Sequence, residues 1–176
     1  MNIDDETQIT NYSGDLVTNK PMMPSLSPDL DAVVYSLFNG DDVWDTHSSD
    51  LYVVHLANTA IRENITQEGA VFQAKVTNRS PEWSPDGSLI AYLHVGNGRS
   101  EINIIEPNAP ATTKRVVTEI NNAFGGPDVL AWSPDSQVLA VIDGDNFGTI
   151  RIVDLDGVEQ GRIDTQLFSI RSLSWL

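Results

Sequence analysis

Trp83-Ser84-Pro85-Asp86-Gly87-Ser88-Leu89-Ile90-Ala91-Tyr92 is the stretch on which the fold turns. Its middle is turn chemistry. Pro85 presets φ for the second turn position, and the Ser and Asp oxygens beside it can bond nearby backbone N–H groups. Gly87 is the residue best suited to a positive φ. The run that follows is short, apolar and partly β-branched, which suits a strand. The same arrangement recurs at intervals of 57 and 49 residues: Ser27-Pro28-Asp29 precedes Ala32-Val33-Val34-Tyr35, and Ser133-Pro134-Asp135 precedes Val138-Leu139-Ala140-Val141. Leu30 and Ser136 stand where Gly87 does. Trp83 and Trp132 precede their serines, Leu26 takes that place in the first unit, and Trp175 opens a fourth.

Outward from each triplet the pattern continues. A second β-branched run closes every unit, as Leu51-Tyr52-Val53-Val54, Ile102-Asn103-Ile104-Ile105 and Ile150-Arg151-Ile152-Val153. Adding an inner strand that ends at the tryptophan, and an outer one near residues 62–66, 114–118 and 162–165, gives four strands a, b, c and d per unit. No helical period persists long enough to compete. Four strands in such a repeat are the signature of a propeller blade. The expected fold is all-β, with blades of four antiparallel strands at about 22–66, 80–119 and 128–166. A leading outer strand at 5–10 and a trailing inner strand at 171–176 flank them. Three complete blades fall short of the roughly 4–8 that close a ring. The economical reading is therefore part of a longer propeller, assembled with remaining blades or a partner chain rather than standing as an isolated monomer.

The stretch 83–92 closely resembles the WD40-like (PD40) repeat of TolB-type propellers, and the resemblance runs from about Pro24 to Trp175. Related blades occur in the propeller domains of prolyl-oligopeptidase-like peptidases and of some polysaccharide lyases. The Trp-Asp ending of true WD40 repeats is absent, which favours the TolB-like branch. The resemblance implies a binding scaffold and, if it extends to biology, a setting in the bacterial cell envelope. It speaks for the fold and little for function, because the motif residues build the blade.

Charge narrows the partners. Among 176 residues, 25 acidic against 10 basic side chains leave a formal charge of −15. Such a surface repels phosphate backbones and anionic lipid, so neither nucleic acid nor a membrane surface is an expected partner, and a basic protein is favoured. No apolar run reaches membrane-spanning length, and Met1-Asn2-Ile3-Asp4-Asp5 is not a signal peptide. With no cysteine there is no thiolate metal site or cysteine nucleophile.

Few residues offer chemistry. The loop Gly40–Asp50 carries Asp41, Asp42, Trp44, Asp45 and His47. Its clustered carboxylates could hold Ca²⁺ through hard oxygens, or simply form a solvated acidic hairpin. Trp44, with Asp41, Asp42 and Asp45, is the candidate contact for a protein or glycan. Asp143-Gly144-Asp145-Asn146-Phe147-Gly148 resembles a calcium loop superficially, but Phe147 replaces the third ligand and no helices flank it. Asp143 and Asp145 are thus weak metal candidates, and no cofactor is expected. His55 and His94 fall at strand ends, where structural or surface roles are expected. No Gly-x-Ser-x-Gly elbow, P-loop, dinucleotide glycine pattern or His-Glu-x-x-His motif is present. The expectation is a non-catalytic protein-binding propeller. The alternative is the propeller domain of a larger peptidase or lyase whose catalytic part lies elsewhere.

Overall fold

Each Ser-Pro-Asp triplet folds into the same hydrogen-bonded knot. The hydroxyl of Ser27, Ser84 and Ser133 donates to the carboxylate of Asp29, Asp86 and Asp135, at 2.6 Å in all three. The same hydroxyl accepts the backbone N–H of Ala32, Leu89 or Val138 at 2.9–3.0 Å, tying the turn to the next strand. The residue after each aspartate is left-handed: φ is 64° at Leu30, 75° at Gly87 and 61° at Ser136. Only Gly87 adopts that conformation without strain.

The computed structural model describes residues 21–39, 48–68, 76–121, 130–143, 148–165, 170 and 173–175. Among these residues, the turns join twelve strands into three antiparallel meanders. Blade 1 comprises β1 (Pro21–Leu26), β2 (Ala32–Asn39), β3 (Ser48–His55) and β4 (Asn58–Asn64). Blade 2 comprises β5 (Thr77–Trp83), β6 (Ile90–Gly96), β7 (Arg99–Ile105) and β8 (Arg115–Ile120). Blade 3 comprises β9 (Leu130–Trp132), β10 (Val138–Asp143), β11 (Thr149–Asp154) and β12 (Glu159–Asp164). One parallel pair, Ser49 with Thr77, links the first two sheets. It is held where Ser49 Oγ donates to the Asn78 carbonyl at 2.8 Å and accepts the Asn78 N–H at 3.0 Å. The expected leading strand at 5–10 lies outside the described residues.

Three local features depart from the expected layout. A four-residue helix, α1 (Pro110–Thr113), interrupts the c–d connection of blade 2. It is too short to show a period, and Pro110 sits in its first turn, where a missing N–H costs nothing. The outer strands of blades 1 and 3 start a few residues before the expected positions, because tight hairpins feed them directly. Strands β1 and β5 each carry a bulge before the aromatic or apolar residue that ends them. Met23 and Ser80 adopt φ of 56° and 52° there, beside Pro24 and Pro81, which suit positions without a ladder bond.

The core lies between blades. Val34, Leu51, Val53 and Ile65 of blade 1 meet Ile90, Tyr92 and Ile105 of blade 2, with Trp83 packed against them. Ala91, Leu93, Ile102, Ile104 and Val117 of blade 2 meet Leu130, Trp132, Leu139, Val141 and Val153 of blade 3. This explains the successive apolar residues in b and c, since both faces of a middle blade are covered. The last blade differs. Ile102 and Ile104 are fully buried, whereas their counterparts Ile150 and Ile152 are only half-buried. The apolar residue on, or just past, the outer strand is 3% exposed at Ile65 of blade 1, 7% at Val117 of blade 2 and 51% at Ile163 of blade 3.

Candidate functional site

On the side of the Ser-Pro-Asp turns, the seam between blades 1 and 2 opens into a cleft of about 300 Å³. Strand alternation explains its lining. Leu51 and Val53 face blade 2, so His55 at the end of β3 and Glu63, paired in register with Val53, face it too. The turn of blade 1 adds Asp29 and Asp31, and that of blade 2 adds Asp86; Trp83, Pro107 and Asn108 form the opposite wall. The Ser27 and Ser84 hydroxyls hold the Asp29 and Asp86 carboxyls below the usual carboxylate range. The cleft is therefore strongly anionic at neutral pH. Among the described residues, no three His, Asp or Glu side chains come together as a metal centre.

The seam between blades 2 and 3 is closed at the corresponding place. There Trp132 Nε1 donates to the Glu82 carbonyl at 3.1 Å, and the Asp86 N–H donates to Ser136 Oγ at 3.1 Å. Arg115 reaches the Leu155 carbonyl of the next hairpin. That hairpin packs so tightly that a Cβ on Gly157 would run into the Val117 carbonyl oxygen. None of this is reproduced between blades 1 and 2. Trp83 Nε1 is out of solvent and has no acceptor among the described residues. Gly87, in the place of Ser136, has no hydroxyl to offer. Glu63 holds the register position of Arg115, since it pairs with Val53 as Arg115 does with Ile104.

At the other end of the same seam, the polar residues build structure. Asp50 is fully buried and accepts from Thr66 Oγ1 at 2.8 Å, the Glu68 N–H at 2.8 Å and Asn64 Nδ2 at 3.0 Å. Glu68 is clamped by Lys114, by Asn78 Nδ2 at 3.1 Å and by His94 at 3.4 Å. Burial pushes the Glu68 carboxyl up, but the hydrogen bonds from His94 and Lys114, with the Lys114 charge, outweigh this and bring it down to about 2. Between blades 2 and 3, Arg151 binds Asp143 at 2.9 Å, Glu159 at 2.9 Å and Thr118 Oγ1 at 3.0 Å.

The residues singled out by sequence distribute as follows. Asp143 is buried, with one carboxylate oxygen taking Arg151 and the other the Asn121 N–H at 2.7 Å. Asp41, Asp42, Trp44, Asp45 and Asp145 lie outside the described residues. His94 pairs through Nδ1 with Asn78 Oδ1 at 2.8 Å. The structure brings His55 together with Asp29, Asp31, Glu63 and Asp86, a set that no sequence motif connects. Its signal is visible only as departures between aligned repeats, Gly87 against Ser136 and Glu63 against Arg115.

Comparison with known proteins agrees with this architecture. No family model matches the chain. Over 63 residues, 35% of its length, it is 43% identical to the Tol-Pal system protein TolB of Alcanivorax borkumensis, and the match spans 13% of that relative. Among solved structures, dipeptidyl peptidase 4 of Porphyromonas gingivalis superposes with a TM-score of 0.65 at 12% identity, over 91% of this chain and 28% of that one. The β-propeller domain of the Trilobed protease from Pyrococcus furiosus, described as having an open velcro topology, gives 0.56 at 17% identity, over 84% and 43%. The chain thus spans at most about half the length of these proteins. The fold defines a partial β-propeller. More particularly, its repeats are similar to those of TolB-type propellers, and polar clamps join its blades.

Proposed function

We propose that the chain is a non-catalytic scaffold within a larger propeller and that it binds a protein partner. The observation that carries this reading is where its reactive side chains are spent. Asp50, Glu68, His94, Asp143 and Arg151 all bond within or across the blade seams. A residue committed to several fixed partners holds geometry rather than turning over substrate. The stretch at 43% identity to TolB supports the scaffold over an enzyme, and on that likeness we place the protein in the bacterial cell envelope, acting with components of a Tol-Pal-like assembly. The −15 charge favours a basic partner surface.

The test pairs two measurements on the purified chain. Calorimetric titration against Tol and Pal proteins of the same cell is expected to give saturable binding, and incubation with peptide and polysaccharide substrates is expected to give no turnover. Hydrolysis by the chain itself would overturn the non-catalytic reading. Binding to a hydrolase or lyase domain in place of the Tol-Pal components would support the second reading, a propeller that serves an enzyme.

A further inference from the structure

The two blade seams are built on one plan and differ at one place. Between blades 2 and 3, a guanidinium of the chain itself, that of Arg115, bridges from the outer strand to the carbonyl of Leu155 on the following hairpin. Between blades 1 and 2 the same register position carries Glu63, and the space it borders is the open cleft. The charge at that point is reversed, and the group that fills the other seam is missing from this one.

We propose that the cleft between blades 1 and 2 is a binding site for the guanidinium or ammonium group of a basic segment on a protein partner. The inference deepens the scaffold reading and rests on it. Four carboxylates, those of Asp29, Asp31, Glu63 and Asp86, border the cleft, with His55 as the one titratable base among its lining residues. Asp29 and Asp86 are kept ionised by the turn serines, so their charge persists to acidic pH. Trp83 supplies an aromatic wall, against which an arginine plane or a lysine stem can pack. The carboxylates do not converge as a metal centre does. Spread around a cleft, they suit an organic cation that offers several donors in different directions, as guanidinium does. The turn residue Gly87 contributes to the opening: its counterpart Ser136 uses its hydroxyl to tie the Asp86 N–H across the other seam.

The experiment uses the full chain and a fluorescein-labelled peptide, Gly-Ser-Arg-Gly-Ser-Arg-Gly-Ser, followed by fluorescence anisotropy. Its control carries citrulline in place of both arginines, removing charge and keeping shape. The expected result is saturable binding that weakens at least about tenfold with citrulline, and about tenfold with Asp31→Asn plus Glu63→Gln. Asp156→Asn plus Asp164→Asn, exposed carboxylates on blade 3 that make the same change in net charge, should stay within about twofold of the parent. Glu63→Arg should abolish binding while the thermal melt is retained, because it supplies from within the group that Arg115 supplies in the other seam. Equal weakening in both double variants would overturn the site and assign the effect to diffuse surface charge. Binding insensitive to citrulline, unchanged binding in Glu63→Arg, or no binding at millimolar peptide would overturn it as well. A Tol or Pal protein held equally by the parent and by Glu63→Arg would remove the cleft and leave the scaffold reading standing.

Discussion

The indole N–H of Trp132 donates to the carbonyl oxygen of Glu82 at 3.1 Å, and Glu82 immediately precedes Trp83, the residue equivalent to Trp132 one blade back. Trp175 repeats the bond, donating to the Ala131 carbonyl at 3.2 Å. Trp132 and Trp175 are therefore each hydrogen-bonded onto the inner strand before them, a bond that Trp83 does not make. Trp132→Phe keeps most of the packing and leaves the Glu82 carbonyl without its donor, so urea titration should show a loss of about 1 kcal/mol. Trp132→Ala should cost about 3–5 kcal/mol, since it also opens a cavity in the core between blades 2 and 3. If both variants lost the same amount, the contribution of the indole ring to the seam would be refuted.

Leu30 carries a left-handed φ of 64° on a side chain 65% exposed, so it bears the strain of that conformation with little packing in return. A Cβ costs about 1–2 kcal/mol in that region, and the extra freedom of glycine in the unfolded chain takes back about 0.5–1 kcal/mol. Leu30→Gly should therefore raise stability by about 0.5–1 kcal/mol. Gly87→Ala, at the equivalent turn, should lower it by a similar amount. A destabilised Leu30→Gly protein in a thermal melt would show that Leu30 makes contacts that outweigh its backbone strain.

These turns show how much was legible in advance. Proline and the Ser and Asp oxygens act through local chemistry, so the three Ser-Pro-Asp knots and the strands they join could be read from residues alone. The left-handed φ at Leu30 could be read only by analogy with Gly87. The clefted seam could not be read at all. It depends on Glu63 and Asp86 meeting across blades, and on bonds that one seam makes and the other lacks. The sequence points instead to the acidic loop at 41–50, because clustered carboxylates in one segment are conspicuous and a site assembled from three segments is not. The helix at Pro110–Thr113 escaped for a simpler reason: one turn shows no period.

Gly157 has φ of 82°, and its missing side chain lets the blade 3 hairpin lie against the Val117 carbonyl on the outer strand of blade 2. Gly157→Ala adds both backbone strain and a clash with a main-chain atom that cannot swing aside. Chemical denaturation should register a loss of about 2 kcal/mol or more. Gly98→Ala is the control: its φ is 77° but nothing stands within 4 Å of the added carbon, so the loss there should be about 1 kcal/mol. Equal losses at the two positions would mean that the hairpin contact contributes nothing.

Glu68 makes stability depend on acid. Its folded carboxyl lies at about 2, below the 4.5 of a free glutamate, so the clamp is fully effective above pH 4.5. Its contribution is lost as the pH falls from there towards 2. The parent should lose stability across that window more steeply than Glu68→Gln, which carries no titrating group. At pH 7 the variant should be less stable by about 1 kcal/mol, a modest figure because Lys114 and Glu68 are both partly solvated. Parallel stability curves for the two proteins between pH 5 and 2, taken at steps of about half a unit, would dismiss the clamp as a source of acid sensitivity.

The far face of blade 3 sets the behaviour of the chain in solution. Ile163 is 51% exposed and Ile150 and Ile152 are half-buried, where the equivalent residues of blade 2 are covered by a neighbour. Trp175 reaches that face and bonds to Ala131, but remains 37% exposed itself. An apolar sheet face of this kind gains free energy when covered, at about 25 cal/mol per Å² removed from water. The 176-residue chain on its own is therefore expected to self-associate rather than remain a monomer. Light scattering combined with thermal melting tests this directly. Ile152→Asp with Ile163→Asp should shift the population towards monomer, because a carboxylate on each of two neighbouring strands makes covering the face costly. Val116→Asp, at an exposed apolar position on the outer strand of blade 2, should leave the association unchanged. A cooperative melt from a strictly monomeric parent would refute the prediction and show that the blade 3 face is closed by the chain itself.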